Sequence, residues 1–261
     1  MVTSFAYFGY ELPINERLHL IKQAGFDGAM LWWSDDFENT NYRGVPALAR
    51  KIGLYVENIH TPFERINNLW LDNLEGSTLT DNFLRMVDEC AQYDIPTMVV
   101  HLSSGDKPPA FNELGLNRIK SVVEKAEACD INIAFENLRR IEHLEYILDN
   151  VDSPHAGFCY DSGHQHCHTF HVDLLSKYGS RLMALHLHDN AGYISGANDE
   201  DQHLLPYDGT IDWAIVMKKI AQSGYTGPVA LESLNRGYNN LPPEEFLGLA
   251  FERAKRLESL L

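Results

Sequence analysis

Basic surface segments, paired cysteines and long apolar runs are all missing from this 261-residue sequence. Acidic residues outnumber basic ones by 37 to 21, and the densest basic points are only the pairs Arg139-Arg140 and Lys218-Lys219. A nucleic-acid enzyme normally carries a basic stripe that neutralises phosphates. The formal charge of −16 therefore makes nucleic acid an unlikely partner and favours a small, soluble substrate.

The four cysteines contain no C-x-x-C pair, and their spacing fits neither a disulfide framework nor a cysteine zinc site. We therefore expect reduced thiols in a cytoplasmic protein. No segment reaches the ~18 uncharged apolar residues of a membrane-spanning helix. The first residues also lack a basic region followed by an apolar core and a cleavage site, so we predict neither a membrane span nor a signal peptide.

Short apolar runs alternate with longer amphipathic stretches along the whole chain. The candidate strands are residues 4–10, 28–33, 54–60, 97–102, 131–137, 156–161, 182–188 and 227–233. The candidate helices are residues 14–24, 43–52, 78–93, 113–129, 141–150, 171–178, 211–223 and 243–259. Eight such units, without a glycine-rich phosphate loop, favour a closed (β/α)₈ TIM barrel of the α/β class over an open sheet. Residues 1–261 are predicted to form this one domain.

Residues typical of helix ends refine the bounds of these elements. Thr80-Asp81 is predicted to begin a helix. Four glycines are predicted to follow helix ends in the left-handed conformation: Gly25, Gly53, Gly179 and Gly224. The connections 61–77 and 190–210 are longer than a barrel needs. Both follow the carboxyl end of a strand, where barrel active sites are built.

Six consecutive candidate strands finish in an imidazole or a carboxylate. These residues are His60, His101, Glu136, Asp161, His186 and Glu232. In a barrel the strand ends converge on one axis, and carboxylates crowded there repel each other unless a cation lies between them. One such residue alone is most often structural, but six in succession indicate a site. Three carboxylates with one imidazole suit a divalent ion such as Mn²⁺, Mg²⁺, Co²⁺ or Zn²⁺.

The motifs around these residues, in this order and spacing, resemble the xylose isomerase-like TIM-barrel superfamily, which includes sugar isomerases, epimerases and an apurinic endonuclease branch. The resemblance covers most of the chain. The motifs include NIHTPF (58–63), AFENL (134–138), GFCYDSGH (157–164), LHLHDN (185–190) and GYTGPVALES (224–233).

The resemblance implies one metal ion, held by Glu136, Asp161, His186 and Glu232. It also implies that Glu136 and Glu232 transfer protons. Alternation along the strand places His186 and His188 on the same face, so the residues alone do not choose between them. The family pattern selects His186 and leaves His188 as a neighbour.

In the endonuclease branch, additional ligands build a three-zinc cluster. The matching positions here are His60, His101, His164, Asp201 and His203. All five are of ligand type, so an endonuclease IV-like trinuclear zinc phosphodiesterase acting on abasic DNA stays an alternative. In the sugar branch the same residue types bind substrate oxygens or lie behind the residues that contact the metal ion. The loop after His60 is acidic and aromatic, which departs from the endonuclease pattern.

The remaining candidates have two interpretations each. Arg139 and Arg236 either clamp a carboxylate or phosphate of the substrate or form ion pairs. Of the four histidines in GHQHCHTFH (163–171), only His164 is expected in the site. Four aromatic residues either form an apolar wall or pack in the core: Trp32, Trp33, Phe63 and Trp70.

The leading prediction is a divalent-metal-dependent isomerase or epimerase of a sugar, sugar phosphate or cyclitol, with proton transfer through a metal-stabilised enediolate. No strand ends in a lysine and no G-x-S-x-G or P-loop motif occurs, so aldolase, serine hydrolase and kinase functions lack support. A non-catalytic metal- or sugar-binding barrel is the second alternative. The oligomeric state stays open, with a homodimer and a homotetramer as candidates.

Overall fold

The computed structural model describes residues 1–35, 41–193 and 201–261, and these form a parallel eight-stranded barrel wrapped by helices. The strands are β1 Val2–Phe5, β2 Gly28–Trp32, β3 Tyr55–His60, β4 Thr97–Val100, β5 Asn132–Glu136, β6 Ala156–Asp161, β7 Leu182–His186 and β8 Val229–Leu231. The described α-helices are α1 Ile14–Ala24, α2 Val45–Lys51, α3 Leu74–Gln92, α4 Glu113–Cys129, α5 Ile141–Asn150, α6 Ser162–Cys167, α7 Leu174–Tyr178, α8 Trp213–Ser223 and α9 Pro243–Glu258.

The predicted TIM barrel is confirmed by its strand order. The hydrogen-bonded sequence runs β7-β6-β5-β4-β3-β2-β1-β8, and every pairing is parallel. Beyond the strands, the N–H of Leu187 donates to the carbonyl of Ala230 at 2.9 Å, and the N–H of Glu232 donates to the carbonyl of Leu187 at 3.0 Å. These two bonds close the barrel between β7 and β8, so all eight strand ends face one shared space.

Inside the barrel, small side chains lie below the strand ends. Val99, Ala134, Cys159 and Ala184 form a buried cluster separate from the main core. Each stands two positions before a predicted site residue, on the same face of its strand. The larger side chains of the same strands, including Phe135 and Phe158, belong to the main core, which includes buried residues of the helices. Small side chains therefore fill the barrel axis below the strand ends, and space is left at the strand ends for the predicted site residues.

Three local predictions were wrong. Strand β1 ends at Phe5 rather than at residue 10, and the released residues become the β1–α1 loop. Helix α3 begins at Leu74 rather than near Thr80-Asp81, because the Asn73 side chain accepts from the N–H of Gly76 at 2.8 Å and caps the helix earlier. Gly179 adopts a right-handed conformation and begins a 3₁₀ turn. Gly25, Gly53 and Gly224 are left-handed, as predicted.

The short helix α6 was not predicted, and the helix predicted at 171–178 is shorter than expected. Asp161 caps α6 directly after β6, with its carboxylate accepting the N–H of His164 at 2.7 Å. Asp173 caps the shorter helix, α7, at Leu174. The predicted connection 190–210 lies partly outside the described residues, whereas 61–77 contains a 3₁₀ turn at Ile66–Trp70.

The cysteines agree with the sequence interpretation, since all four are free and three of them are buried. None of the helices in the described part of the chain combines the length and apolarity needed to cross a bilayer.

Gly115 of α4 lies against Trp70, and this contact permits a testable prediction. A Cβ at Gly115 would lie 2.2 Å from Cε3 of the Trp70 ring. The same indole donates its Nε1–H to the carbonyl of Leu102 at 2.7 Å, beside the end of β4. We expect Gly115→Ala to lower the free energy of unfolding by about 1–3 kcal/mol, because the indole must move. Urea denaturation measures the loss.

The matched control for Gly115→Ala is Gly248→Ala in α9, where an added Cβ meets no atom within 4 Å. Removing a glycine from this helix interior should stabilise the protein by about 0.5–1 kcal/mol. Equal effects of the two substitutions would show that the contact between Gly115 and Trp70 contributes nothing to stability.

A buried carboxyl group connects β1 and β3. The hydroxyl of Thr3 donates to Oε2 of Glu57, and both side chains are almost fully buried. Glu57 lies at an irregularity in the β2–β3 register, where Ala29 pairs with Val56 but Met30 pairs with Asn58. Burial raises the pKa of Glu57 from 4.5 to about 7.

This raised pKa predicts a pH-dependent stability. Between pH 4.5 and about 7 the folded state keeps a proton on Glu57 that the unfolded chain releases, so the stability from this group is lost as the pH rises through that range. Glutamine cannot ionise and still accepts from Thr3. Over this range we expect Glu57→Gln to gain about 3 kcal/mol relative to the wild type.

Urea denaturation of both proteins across that pH series measures the difference. Glu124→Gln, an exposed position on α4, is the matched control and should show no such trend. Parallel pH profiles for the wild type and Glu57→Gln would contradict the prediction.

Candidate active site

Side chains at or beyond the carboxyl ends of most strands line one large cavity, whereas the strand-end residues Asp161 and His186 are fully buried and are not part of its lining. Its volume is about 1160 Å³. Its polar floor consists of His60, His101, Glu136, His164, Asp201, His203 and Glu232. These side chains come from strand ends or from the segments that directly follow them, which explains why distant parts of the sequence meet here.

Glu136 lies at the centre of the floor and is 1% exposed. Its Oε2 lies 3.3 Å from Nε2 of His60, 3.2 Å from Nε2 of His101 and 3.2 Å from Nδ1 of His186. The same Nδ1 of His186 lies 3.3 Å from Oε2 of Glu232. Three imidazoles and a second carboxylate therefore surround one buried carboxylate.

Asp161 is in contact with a different pair of histidines. One carboxylate oxygen accepts the N–H of His164, and Nε2 of His188 lies 3.0 Å from that oxygen. His188 is completely buried and stacks on the ring of His203, with 3.9 Å between the ring centroids. The structure therefore separates the two histidines of LHLHDN. Nδ1 of His186 faces Glu136 and Glu232, whereas Nε2 of His188 faces Asp161.

A further group lies beside Asp161. Oδ2 of Asp201 is 3.3 Å from Nε2 of His164 and 3.1 Å from Nε2 of His203. Nδ1 of His164 is 3.1 Å from Oε1 of Glu136, so this group is connected to the centre of the floor. The positions expected from the endonuclease branch thus lie together in space.

Burial and neighbouring charges shift the pKa values of Glu136 and Glu232 in opposite directions. Burial alone would raise the pKa of Glu136, but the charges of His101 and His186 hold it well below its ordinary value. Burial raises the pKa of Glu232 to about 7, and the charge of Glu136 adds to this rise against the opposing effect of His186. In the same floor, burial lowers the pKa of His60 to about 4.

The donor atoms of the floor fit a divalent cation. Within the described residues, two compact groups contain predicted ligands of the single metal ion: His186 with Glu136 and Cys159, and His186 with His60 and Glu232. The ligand atoms of each group lie within 4.8 Å of one another, as do those of two further groups: His60, His101 and Glu136, and His164, Asp201 and His203. Nδ1 of His186 is close to two carboxylate oxygens but makes no hydrogen bond to any described residue, and neither does the buried Oδ1 of Asp201. Buried polar atoms without partners are costly, and a cation coordinated by these atoms would satisfy them.

The remaining predicted residues are divided between the cavity and other surroundings. Arg236 reaches the rim, where its Nη1 lies 3.4 Å from the carbonyl of Asp201. Arg139 lies outside the cavity lining and pairs with Asp106 at 3.5 Å. Two of the candidate aromatic residues line the cavity, Trp32 and Phe63. The other two are buried in the hydrophobic core, Trp33 and Trp70.

Of the clustered histidines, only His164 lines the cavity, as expected. His166 contacts the hydroxyl of Thr210 at 2.7 Å, and His171 is exposed. His168 stacks on His164 from behind, with 5.8 Å between the ring centroids.

Sequence reasoning missed two contributions to the site. Cys159, read only as a reduced thiol, lies with Glu136 and His186 in a group whose ligand atoms approach within 4.8 Å. The β1–α1 loop lines the cavity with Tyr7 and Tyr10, which had been assigned to a strand. Gly9 in this loop, with φ of 99°, was the signal that the strand ends earlier.

Comparison with known proteins gives this arrangement its context. The family description "xylose isomerase-like TIM barrel" matches residues 18–256. An uncharacterized protein of Sinorhizobium fredii, y4fM, is 32% identical over 97% of this chain and 91% of its own length.

Two solved structures are similar over nearly the whole of both chains. A D-psicose 3-epimerase with D-tagatose from Clostridium cellulolyticum H10 has a TM-score of 0.76 and 16% identity, covering 100% of this chain and 99% of that one. The IolI protein with a bound zinc atom has a TM-score of 0.80 and 16% identity, covering 99% and 98%. At these identities the structures show the fold alone. With the family match over residues 18–256, the chain belongs to the xylose isomerase-like TIM-barrel family.

Proposed function

We propose that this chain is a divalent-metal-dependent enzyme that isomerises or epimerises a sugar or a related polyol by proton transfer. The observation that carries the proposal is the pair of buried carboxylates at the cavity floor. Oε2 of Glu136 and Oε2 of Glu232 both lie close to the same nitrogen of His186, at 3.2 and 3.3 Å. Two bases facing one reaction space are what inversion or migration of a C–H bond requires.

In this proposal Glu136, Asp161, His186 and Glu232 hold the metal ion, which supplies Lewis-acid polarisation of the substrate carbonyl. One of the two glutamates removes the proton from the carbon next to the carbonyl, and the other returns a proton from the opposite side. The substrate gains one proton for each proton that it loses, so the reaction needs no co-reactant.

The surrounding side chains suit a hydroxyl-rich substrate. His60, His101 and His164 present ring nitrogens at the floor, where they can donate to or accept from sugar hydroxyls. The Trp32 ring stacks on His60 at 5.3 Å between centroids, and the Phe63 ring stacks on His101 at 4.5 Å. These aromatic faces fix the two imidazoles and exclude water from one side of the floor.

Similar proteins support the proposal in its general form. Of the two similar structures, one is an epimerase with a bound ketose and the other is a protein with a bound zinc atom. Both structures cover essentially the whole of this chain.

Metal analysis combined with hydrogen exchange tests the function. Purified protein should hold one divalent ion per chain and should incorporate solvent deuterium into the C–H next to the carbonyl of a ketose or inosose. Removal of the ion by a chelator should stop this exchange, and its return should restore it. A metal-loaded protein that exchanges no such proton across a broad ketose and inosose panel would overturn the proposal.

A second candidate function is supported by one specific observation. His60, His101 and Glu136 and, separately, His164, Asp201 and His203 are each compact enough to hold an ion beside the proposed one. A three-zinc centre of this kind suits phosphodiester hydrolysis. It predicts about three zinc ions per chain and nicking of an abasic duplex. One ion per chain with no nicking would exclude it, and the formal charge of −16 argues against a duplex substrate.

A further inference from the structure

The cavity is larger than the substrate that its floor can hold. Its volume of about 1160 Å³ exceeds the ~300–1,000 Å³ that is typical of pockets for drug-sized ligands. A single hexose is much smaller than such ligands, so a sugar lying over Glu136 and Glu232 leaves the outer part of the cavity unfilled. This outer part extends over the β1–α1 loop and the segment that follows β8.

The outer part has an apolar wall. Its residues are Phe5, Tyr7, Tyr10, Leu12, Phe63 and Leu234. All six side chains are only partly buried by the protein, so each still presents apolar surface. Phe5 and Tyr7 are neighbours, with 5.8 Å between their ring centroids. The wall therefore reaches the floor at Phe5, whose ring centroid lies 6.5 Å from that of His60.

This wall is held in place by the protein itself. The hydroxyl of Tyr10 donates to the carbonyl of Leu241 at 2.7 Å, so its polar end is satisfied outside the cavity. The N–H of Asn235 donates to the carbonyl of Phe8 at 3.1 Å, joining the β1–α1 loop to the segment after β8. Gly9 permits this close approach, because a Cβ there would lie 2.2 Å from Oδ1 of Asn235. A preformed apolar wall binds without an ordering cost.

The charges of the lining disfavour a phosphorylated substrate. Among the described residues, five carboxylates face the cavity, against two guanidinium groups. Two of these acids, Glu11 and Glu64, are exposed at the rim, where a phosphate group on the far end of a sugar would lie. Of the two arginines, Arg17 is 5% exposed with its guanidinium 4.5 Å from the Tyr7 ring, and Arg236 is exposed. The two exposed acids thus offset the two guanidinium groups, so the outer part offers a phosphate no net positive charge, whereas an uncharged group needs none.

We propose that the substrate is an unphosphorylated sugar or cyclitol ketone that carries an apolar, uncharged substituent on a hydroxyl remote from the carbonyl. The sugar lies over the carboxylates, and an aryl or alkyl substituent packs against Tyr7, Leu12 and Leu234. This inference rests on the proposed isomerase or epimerase function and specifies its substrate class.

The test uses the metal-loaded protein and a panel of ketohexoses, each in three forms: unsubstituted, as the 6-phosphate and as the 6-O-benzyl ether. Deuterium exchange next to the carbonyl gives kcat/KM, and calorimetry gives Kd. For ketoses that exchange, the benzyl ether should exceed the parent sugar at least tenfold in kcat/KM, and the phosphate should fall below the parent. An equal or weaker benzyl ether would overturn the inference while leaving the proposed function in place.

Wall variants separate the two proposals. Leu12→Ser and Leu234→Ser should each remove most of the benzyl advantage while leaving the unsubstituted sugar within twofold of wild type. Leu74→Ser, at a leucine that is 78% exposed on α3, is the matched control and should change neither value. If none of the three forms exchanges deuterium, the proposed function has failed. The Kd values alone then test the proposed substrate class. Benzyl ethers that bind the wild type no more tightly than the unsubstituted sugars would then overturn the inference. Benzyl ethers that bind the wall variants as tightly as the wild type would overturn it as well.

Discussion

Replacing Glu232 by glutamine is expected to lower the rate of substrate interconversion by about 10²–10⁴-fold, the usual contribution of a positioned proton carrier. Glutamine keeps the shape of the side chain and an oxygen beside His186, but it cannot accept a proton. Interconversion should therefore be lost while the fold is retained. Metal content, measured on the same sample, shows whether the ion is still held.

A mechanism with two bases also predicts which partial reaction the Glu232→Gln variant retains. Glu136 is unchanged, so the substrate form whose proton faces Glu136 should still exchange with deuterated solvent, although it is no longer converted. Glu64→Gln at the exposed rim is the matched control and should leave both rates within twofold. Full activity of Glu232→Gln would remove this residue from proton transfer. Sugar binding that is unchanged in Glu232→Gln, together with a wild type that shows no turnover, would favour the non-catalytic barrel.

Replacing Asp189 by asparagine is expected to cost about 3 kcal/mol or more in the free energy of unfolding. This buried carboxylate accepts four N–H groups, and each bond to a charged acceptor contributes about 1.5–3 kcal/mol. The donors are the N–H of Asn190 at 2.9 Å, of Tyr207 at 3.0 Å and of Ile211 at 3.1 Å, and Nε1–H of Trp213 at 2.8 Å. An asparagine amide would turn its own N–H groups towards some of these donors.

A second effect of Asp189→Asn should appear at the cavity. Asp189 and Leu204 exchange two backbone bonds of 2.8 Å, which anchor the segment that carries Asp201 and His203. Loosening this segment should weaken ligand binding as well as stability. Urea denaturation and sugar calorimetry measure the two effects. Asp208→Asn is the matched control, because this exposed side chain pairs with Arg253 and should cost under about 1 kcal/mol. Equal losses in both variants would contradict the role given to Asp189.

Much of the fold could be predicted because the period of the hydrophobic pattern is local. All eight strands and the barrel class follow from apolar runs that alternate with amphipathic stretches. The helix boundaries depended on competition between neighbouring caps, and Asn73 could not be ranked above Thr80 from residue preferences alone. Gly179 shows the same limit, since its neighbours determine whether a glycine adopts the left-handed conformation.

The floor of the site was predictable for a different reason. Parallel strands in a barrel bring their carboxyl ends together, so strand-end residues meet however far apart they are in sequence. The orientation of each ring was not predictable. His186 and His188 share a face by alternation, yet their nitrogens contact different carboxylates, because α6 follows β6 and its cap holds Asp161 towards His188. The apolar wall depends on contacts between the two ends of the chain, which residue patterns do not reveal.

The origin of the cavity wall has a practical consequence for engineering. Apart from Phe5, which ends β1, the wall residues lie in segments between the strands and helices, whereas the proposed proton carriers end β5 and follow β8. Leu12 and Leu234, the two wall residues chosen for substitution, lie in connecting segments rather than in the barrel strands. A combinatorial library at these two positions could therefore change which substrates enter while leaving the reaction itself intact. Loops on a rigid scaffold tolerate such variation well. Substrate range and reaction type would then be separately evolvable properties of this barrel.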